Sequence, residues 1–135
     1  MEKLLVDTNI FIDLLAKRES FYQEAQELLT LADEKHLSLF ISALTFANIY
    51  YILSEDLETD EARKVMIKFK ALVKVLPLED KVLELALSSD FNDFEDAIQY
   101  YTALDNKLEI IITRNKKDFK KSTLPVLTAR EYLNR

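Results

Sequence analysis

Asp7, Asp93, Asp96 and Asp118 are the residues on which chemistry can rest here, each with small polar neighbours. Thr8 and Asn9 follow Asp7, Glu95 lies between Asp93 and Asp96, and Thr113, Arg114 and Asn115 precede Asp118. The chain has no cysteine and one histidine, so any metal site must be built from oxygen, which suits Mg²⁺ or Mn²⁺ and not zinc. Carboxylates drawn together repel unless a cation offsets them. A cation so held suggests phosphodiester hydrolysis, by acidifying water and neutralising charge on the transition state. His36 is expected on the surface, as neither ligand nor base. No Ser-His-Asp or Cys-His set offers a covalent alternative.

Each residue also has a plainer use. Asp7 and Asp93 are good N-caps, and Asp96 in a first helical turn would complement the helix dipole. Asn48 could be a satisfied core amide, Thr113 and Asn115 turn residues, and Asp118 a solvated loop charge. It is their conjunction that points to chemistry.

The elements that must position them follow from hydrophobic pattern. Leu4-Leu5-Val6 reads as a short buried strand ending at Asp7, and Thr8 to Lys17 as a helix with Ile10, Leu14 and Leu15 on one face. A second helix is expected from Phe21 to Glu34, with Ala25, Leu28, Leu29 and Ala32 inward. Leu37 to Ile41 is a strand, and Ser42 caps a helix from Ala43 to about Ser54. That helix is apolar almost all round except at Thr45 and Asn48, which predicts burial. Helices from Thr59 to about Leu72, Glu79 to Ser88 and Asp93 to Asn106 alternate with strands at Val73–Leu76, Glu109–Ile112 and Pro125–Leu127. On the Asp93 helix, Phe94, Ala97, Ile98 and Tyr101 form the apolar stripe. Thr128 and Glu131 fit a capping box opening a terminal helix.

Strands separated by helices give an α/β fold with a parallel sheet, whose ligands bind beyond the carboxyl ends of the strands. Asp7 and Asp118 come after strands at that edge and the Asp93 helix adds a further group, so three acidic groups from separate segments are expected to converge there. With 135 residues the chain makes one domain, spanning 1–135. The absence of glycine excludes Gly-rich nucleotide loops and leaves turns to Asn, Asp, Ser and two prolines. The apolar run before Asp7 is too short for a membrane span, and a cysteine-free chain suits the cytoplasm. A net charge of −6 means that any nucleic acid must be met by a local basic patch or by metal. Arg114, Lys116, Lys117, Lys120 and Lys121 form such a cluster.

Val6-Asp7-Thr8-Asn9-Ile10-Phe11-Ile12-Asp13 resembles the opening motif of PIN domains. Asp93-Phe94-Glu95-Asp96-Ala97-Ile98-Gln99 resembles their acidic helix, and Ile112-Thr113-Arg114-Asn115-Lys116-Lys117-Asp118-Phe119 their late strand and loop. In size the chain is similar to VapC-type toxins of toxin–antitoxin pairs. The resemblance implies a three-layer α/β/α sandwich on a parallel sheet of four to five strands, and an Mg²⁺- or Mn²⁺-dependent endoribonuclease. Asp7, Asp96 and Asp118 would be catalytic, with Asp7 and Asp96 on the metal. Asn9, Thr45, Asn48, Asp93, Glu95, Thr113 and Asn115 would support them, and Arg114, Lys116 and Lys117 would contact RNA. An antitoxin partner and a homodimer are implied too, with Tyr50-Tyr51-Ile52-Leu53 available as an apolar interface or for core packing.

One position departs from the pattern. PIN nucleases usually place Glu in the helix after the second strand, where this chain has Asn48; Asn115 likewise stands where many have Asp. The pocket is short of up to two charges, which lowers metal affinity. A rival reading is therefore the same fold serving as an RNA- or protein-binding module. A phosphoryl-transfer domain with Asp7 as nucleophile fits poorly. The haloacid-dehalogenase pattern needs Asp at position 9, and a response-regulator receiver needs an acidic pair at the first strand.

Overall fold

A computed structural model describes all residues, 1–135. Five parallel strands form one sheet: β1 (Glu2–Val6), β2 (Leu37–Ser42), β3 (Lys74–Leu76), β4 (Ile110–Ile112) and β5 (Val126–Leu127). Their spatial order is β3-β2-β1-β4-β5. The chain thus leaves β1 to one side for β2 and β3 and returns to the other for β4 and β5. Such a reversal opens a crevice at the carboxyl edge beside β1.

Seven helices cover the sheet: α1 (Thr8–Leu15), α2 (Tyr22–Asp33), α3 (Ala43–Leu53), α4 (Thr59–Lys70), α5 (Asp80–Leu87), α6 (Phe94–Asp105) and α7 (Ala129–Leu133). Alternation along the strands divides the core. Leu4, Val6, Leu39, Ile41, Ile110 and Ile112 face the larger cluster, with Phe11, Leu28, Ile49, Phe69 and Ala129 from α1, α2, α3, α4 and α7. Leu5, Phe40 and Ile111 face the other side, against Tyr100 and Ala103 of α6. Val82 and Ala86 of α5 then pack on Ala97 and Ile98. The result is the expected α/β/α sandwich, with α5 and α6 as its thinner layer. No helix is long and apolar enough to cross a membrane.

The Thr128–Glu131 capping box forms as predicted, and His36 is exposed. Four details differ from the sequence pattern. Phe94 is 46% exposed, and the stripe of α6 runs instead through Ala97, Ile98 and Tyr100. Helix α3 is not buried all round, since Tyr51 and Ile52 face outward. In α1 the buried run is Ile10, Phe11, Ile12 and Asp13, with Leu14 and Leu15 only half-buried. The loop after β4 contains a short 3₁₀ helix, Lys116–Phe119, anchored by the buried Phe119.

Turns also use an unexpected residue. Lys17, Lys35 and Lys107 take positive φ values of 52°, 63° and 57°. Each sits one residue past a helix C-cap, where its N–H and the next one close back on the last turn, as in Lys107 N–H to Leu104 O and Leu108 N–H to Ala103 O. This Schellman geometry usually takes glycine, which the chain lacks.

Candidate active site

Asp7 ends β1 at the centre of the sheet and N-caps α1, accepting from the Thr8 N–H at 2.7 Å. The plain reading as a cap is therefore correct, but it uses only part of the carboxylate. Thr113 Oγ1 donates to Oδ2 at 2.7 Å, Asn9 Nδ2 to Oδ2 at 3.2 Å, and Gln99 Nε2 to Oδ1 at 3.0 Å. The pairing of Val6 with Ile112 brings Thr113 alongside Asp7, which is why residues 106 apart meet. Asp7 is 7% exposed and Thr113 fully buried. Four donors surround this acidic side chain.

Asp96 lies in the first turn of α6, where its backbone N–H is capped by Asp93 Oδ1 at 2.9 Å. Burial, and then the negative charges of Asp7, Asp93, Asp118 and Glu95, push its carboxyl up to about 7. Asp93, Asp96 and Asp118 line one cleft of about 370 Å³, together with Asp90 and Asn92. Lys117, Lys120 and Lys121 form its basic side.

The remaining residues singled out by sequence sit elsewhere. Arg114 Nε lies 2.7 Å from Asp13 Oδ2, and its guanidinium covers the Phe21 ring at 4.3 Å. Lys116 Nζ pairs with Glu131 at 3.0 Å. Asn115 donates its N–H to Thr113 Oγ1 at 3.1 Å, and lines a different pocket with Asp13 and Arg114. Thr45 is buried in the Ser42 cap, where Ser42 Oγ accepts from its N–H and donates to its hydroxyl, both at 3.0 Å. Asn48 is half-buried and, like Asp7, does not line the acidic cleft.

Two participants escaped the sequence pattern. Gln99 shows only as a polar residue inside an apolar stretch, and its partner is 92 residues away. Asp13 is fully buried, and burial raises its carboxyl although Arg114 and Arg18 oppose the shift. Its hint was an acid set between the apolar runs Ile10-Phe11-Ile12 and Leu14-Leu15.

The PIN-domain family model matches residues 3–117, which take in most of β1, the acidic helix and the start of the loop after β4, ending one residue before Asp118. The chain belongs to the PIN-domain family. Among curated relatives of this PIN domain is "Ribonuclease VapC1" of Aquifex aeolicus, 25% identical, with 99% of this chain and 95% of the relative covered. A toxin–antitoxin complex from Klebsiella pneumoniae is similar in structure, with a TM-score of 0.68, 26% identity and 93% and 97% of the two chains covered. DNA-bound VapBC from Salmonella typhimurium superimposes with a TM-score of 0.72 over 96% and 99% of the chains, at 16% identity.

In kind, the residues of this PIN domain fit a divalent cation: all donors are oxygen, and burial first and neighbouring acids second raise the Asp96 carboxyl. They are not closed around one, since no three acidic or histidine side chains stand together at ligand spacing.

Proposed function

We propose that this PIN domain is an Mg²⁺- or Mn²⁺-dependent endoribonuclease and the toxin of a toxin–antitoxin pair. The observation that carries the reading is the buried Asp7 carboxylate, held by Thr113, Asn9 and Gln99 at the edge where parallel sheets place their ligands. Burial and neighbouring acids raise the Asp96 carboxyl of the helix that carries Gln99. The ribonuclease and toxin–antitoxin relatives support the choice of RNA and of a protein partner.

Asp7 and Asp96 would hold the cation, with Asp118, which lines the same cleft as Asp96, as the third acidic residue. A divalent ion there would stabilise charge on a phosphodiester and acidify water. The chain's own residues do the positioning. Thr113 and Asn9 donate to Asp7 Oδ2. Asp93 caps α6 and so fixes the turn that carries Asp96. Lys117, Lys120 and Lys121 offer positive charge to RNA phosphates on a chain of net charge −6. Arg114 and Lys116, paired with Asp13 and Glu131, would serve to shape the loop instead. A homodimer would use the exposed Tyr51 and Ile52 of α3, and the setting would be cytoplasmic.

Asn48 favours a second reading, a binding module with a weakened site, because it brings no charge. One assay divides the two. RNA incubated with Mn²⁺ should be cleaved by the wild type, and EDTA or Asp7→Asn should reduce the rate at least ~100-fold while the domain stays folded. Cleavage by Asp7→Asn at the wild-type rate refutes the catalytic reading. No cleavage by the wild type, with a large gain on Asn48→Glu, establishes the weakened site.

A further inference from the structure

Asp7 and Asp96 come from different elements, and one side chain joins those elements at this edge. Gln99 lies about one turn along α6 from Asp96 and is 1% exposed. Its Nε2 donates to Asp7 Oδ1 at 3.0 Å, the one side-chain hydrogen bond between α6 and the end of β1. Chemistry dictates the amide's orientation, because a carboxylate offers only acceptors and a flipped amide would set oxygen against oxygen. The other end of the amide is unsupported: Gln99 Oε1 is buried without a hydrogen-bond partner. An unpartnered buried carbonyl oxygen destabilises a fold. Methionine or leucine, of similar volume, would fill the position without that penalty. Packing stability therefore gives no reason for an amide here, whereas the hydrogen bond to Asp7 does.

We propose that Gln99 is a positioning residue that locks the rotation of Asp7 and ties it to the helix carrying Asp96, so that both carboxylates are presented together to a divalent cation. The proposal rests on the metal-dependent reading above. Asp7 has three other donors, but Thr8 and Asn9 belong to its own β1–α1 segment and Thr113 to β4. None of them refers Asp7 to α6. Groups that orient a metal ligand typically change affinity by about 10–100-fold when removed.

The test is calorimetric titration of the full chain with Mn²⁺ alone, comparing wild type with Gln99→Met, alongside thermal melting in EDTA. Gln99→Leu serves as a second variant in case the first does not fold. Mn²⁺ should bind at least ~10-fold more weakly to the variant, whose melting temperature in EDTA should equal or exceed that of wild type. A purely structural Gln99 gives a lower melting temperature, or two variants that do not fold, and either result overturns the proposal. So does wild-type Mn²⁺ affinity in Gln99→Met, which would leave the metal-dependent reading intact. No Mn²⁺ binding by the wild type at millimolar metal overturns that reading and this proposal with it.

Discussion

At the scale of single residues, Asp96 carries the energetic signature of the site. Burial first, and four neighbouring acids after it, raise its carboxyl from 3.8 to about 7. A group with a raised folded-state value favours folding in its protonated form. That contribution is complete below about pH 4 and is lost as the pH rises through about 7. The metal-free domain should therefore lose stability across this window, by on the order of 2 kcal/mol from Asp96 after allowance for solvent screening. Asp96→Asn is uncharged throughout and should melt about 5 °C higher than wild type at pH 8 in EDTA, but not at pH 4. Asp13 is also raised by burial and adds a slope of the same sign, so only the difference between wild type and variant isolates Asp96. Parallel melting profiles for the two proteins would show that Asp96 is not strained.

At the scale of elements, the fold meets its turns without glycine, and three helices end on lysine in the left-handed region. A side chain with a Cβ is disfavoured there, whereas glycine is not. Lys107→Gly should stabilise the domain by about 0.5–1 kcal/mol in urea unfolding, with Lys17→Gly and Lys35→Gly similar. A net loss of stability from Lys107→Gly would mean that its side chain contributes more than its backbone strain.

The same scale shows what a sequence can disclose. The strands were legible because Leu4–Val6, Leu37–Ile41 and Ile110–Ile112 are short apolar runs buried on both faces. The caps at Asp7, Ser42, Asp93 and Thr128 were legible because capping is local. Asp7 and the segment from Thr113 to Asp118 followed from counting which residues come just after a strand, whereas Asp93 and Asp96 follow no strand and were read from their i, i+3 placement on a helix. What stayed hidden was long-range or aperiodic. Gln99 finds Asp7 only through the packing of α6 on the sheet. Asp13 is buried because the middle of α1 is enclosed on every side, which no single-face periodicity reveals. Arg114 and Lys116 read as members of a basic run, and only the tertiary structure gives them Asp13 and Glu131 as partners.

At the scale of the whole molecule, the order β3-β2-β1-β4-β5 puts β1 at the reversal of the sheet, with β4 beside it and α6 packed across the face they share. Asp7, Thr113 and Gln99 are consequences of that topology, and the cleft of Asp96 and Asp118 opens beside them. Lys117, Lys120 and Lys121 then set positive charge against the acids of an otherwise negative molecule. The proposed function requires a divalent cation at this edge. Paramagnetic Mn²⁺ added below stoichiometry to the ¹⁵N-labelled domain tests it most directly, because line broadening reports the ion's location. The amide signals of Asp7, Thr8, Asp96, Gln99 and Thr113 should broaden first, and Asp7→Asn should abolish the effect. Broadening that begins elsewhere, such as along the acidic start of α4 at Asp60 and Glu61, or that persists unchanged in Asp7→Asn, would contradict it.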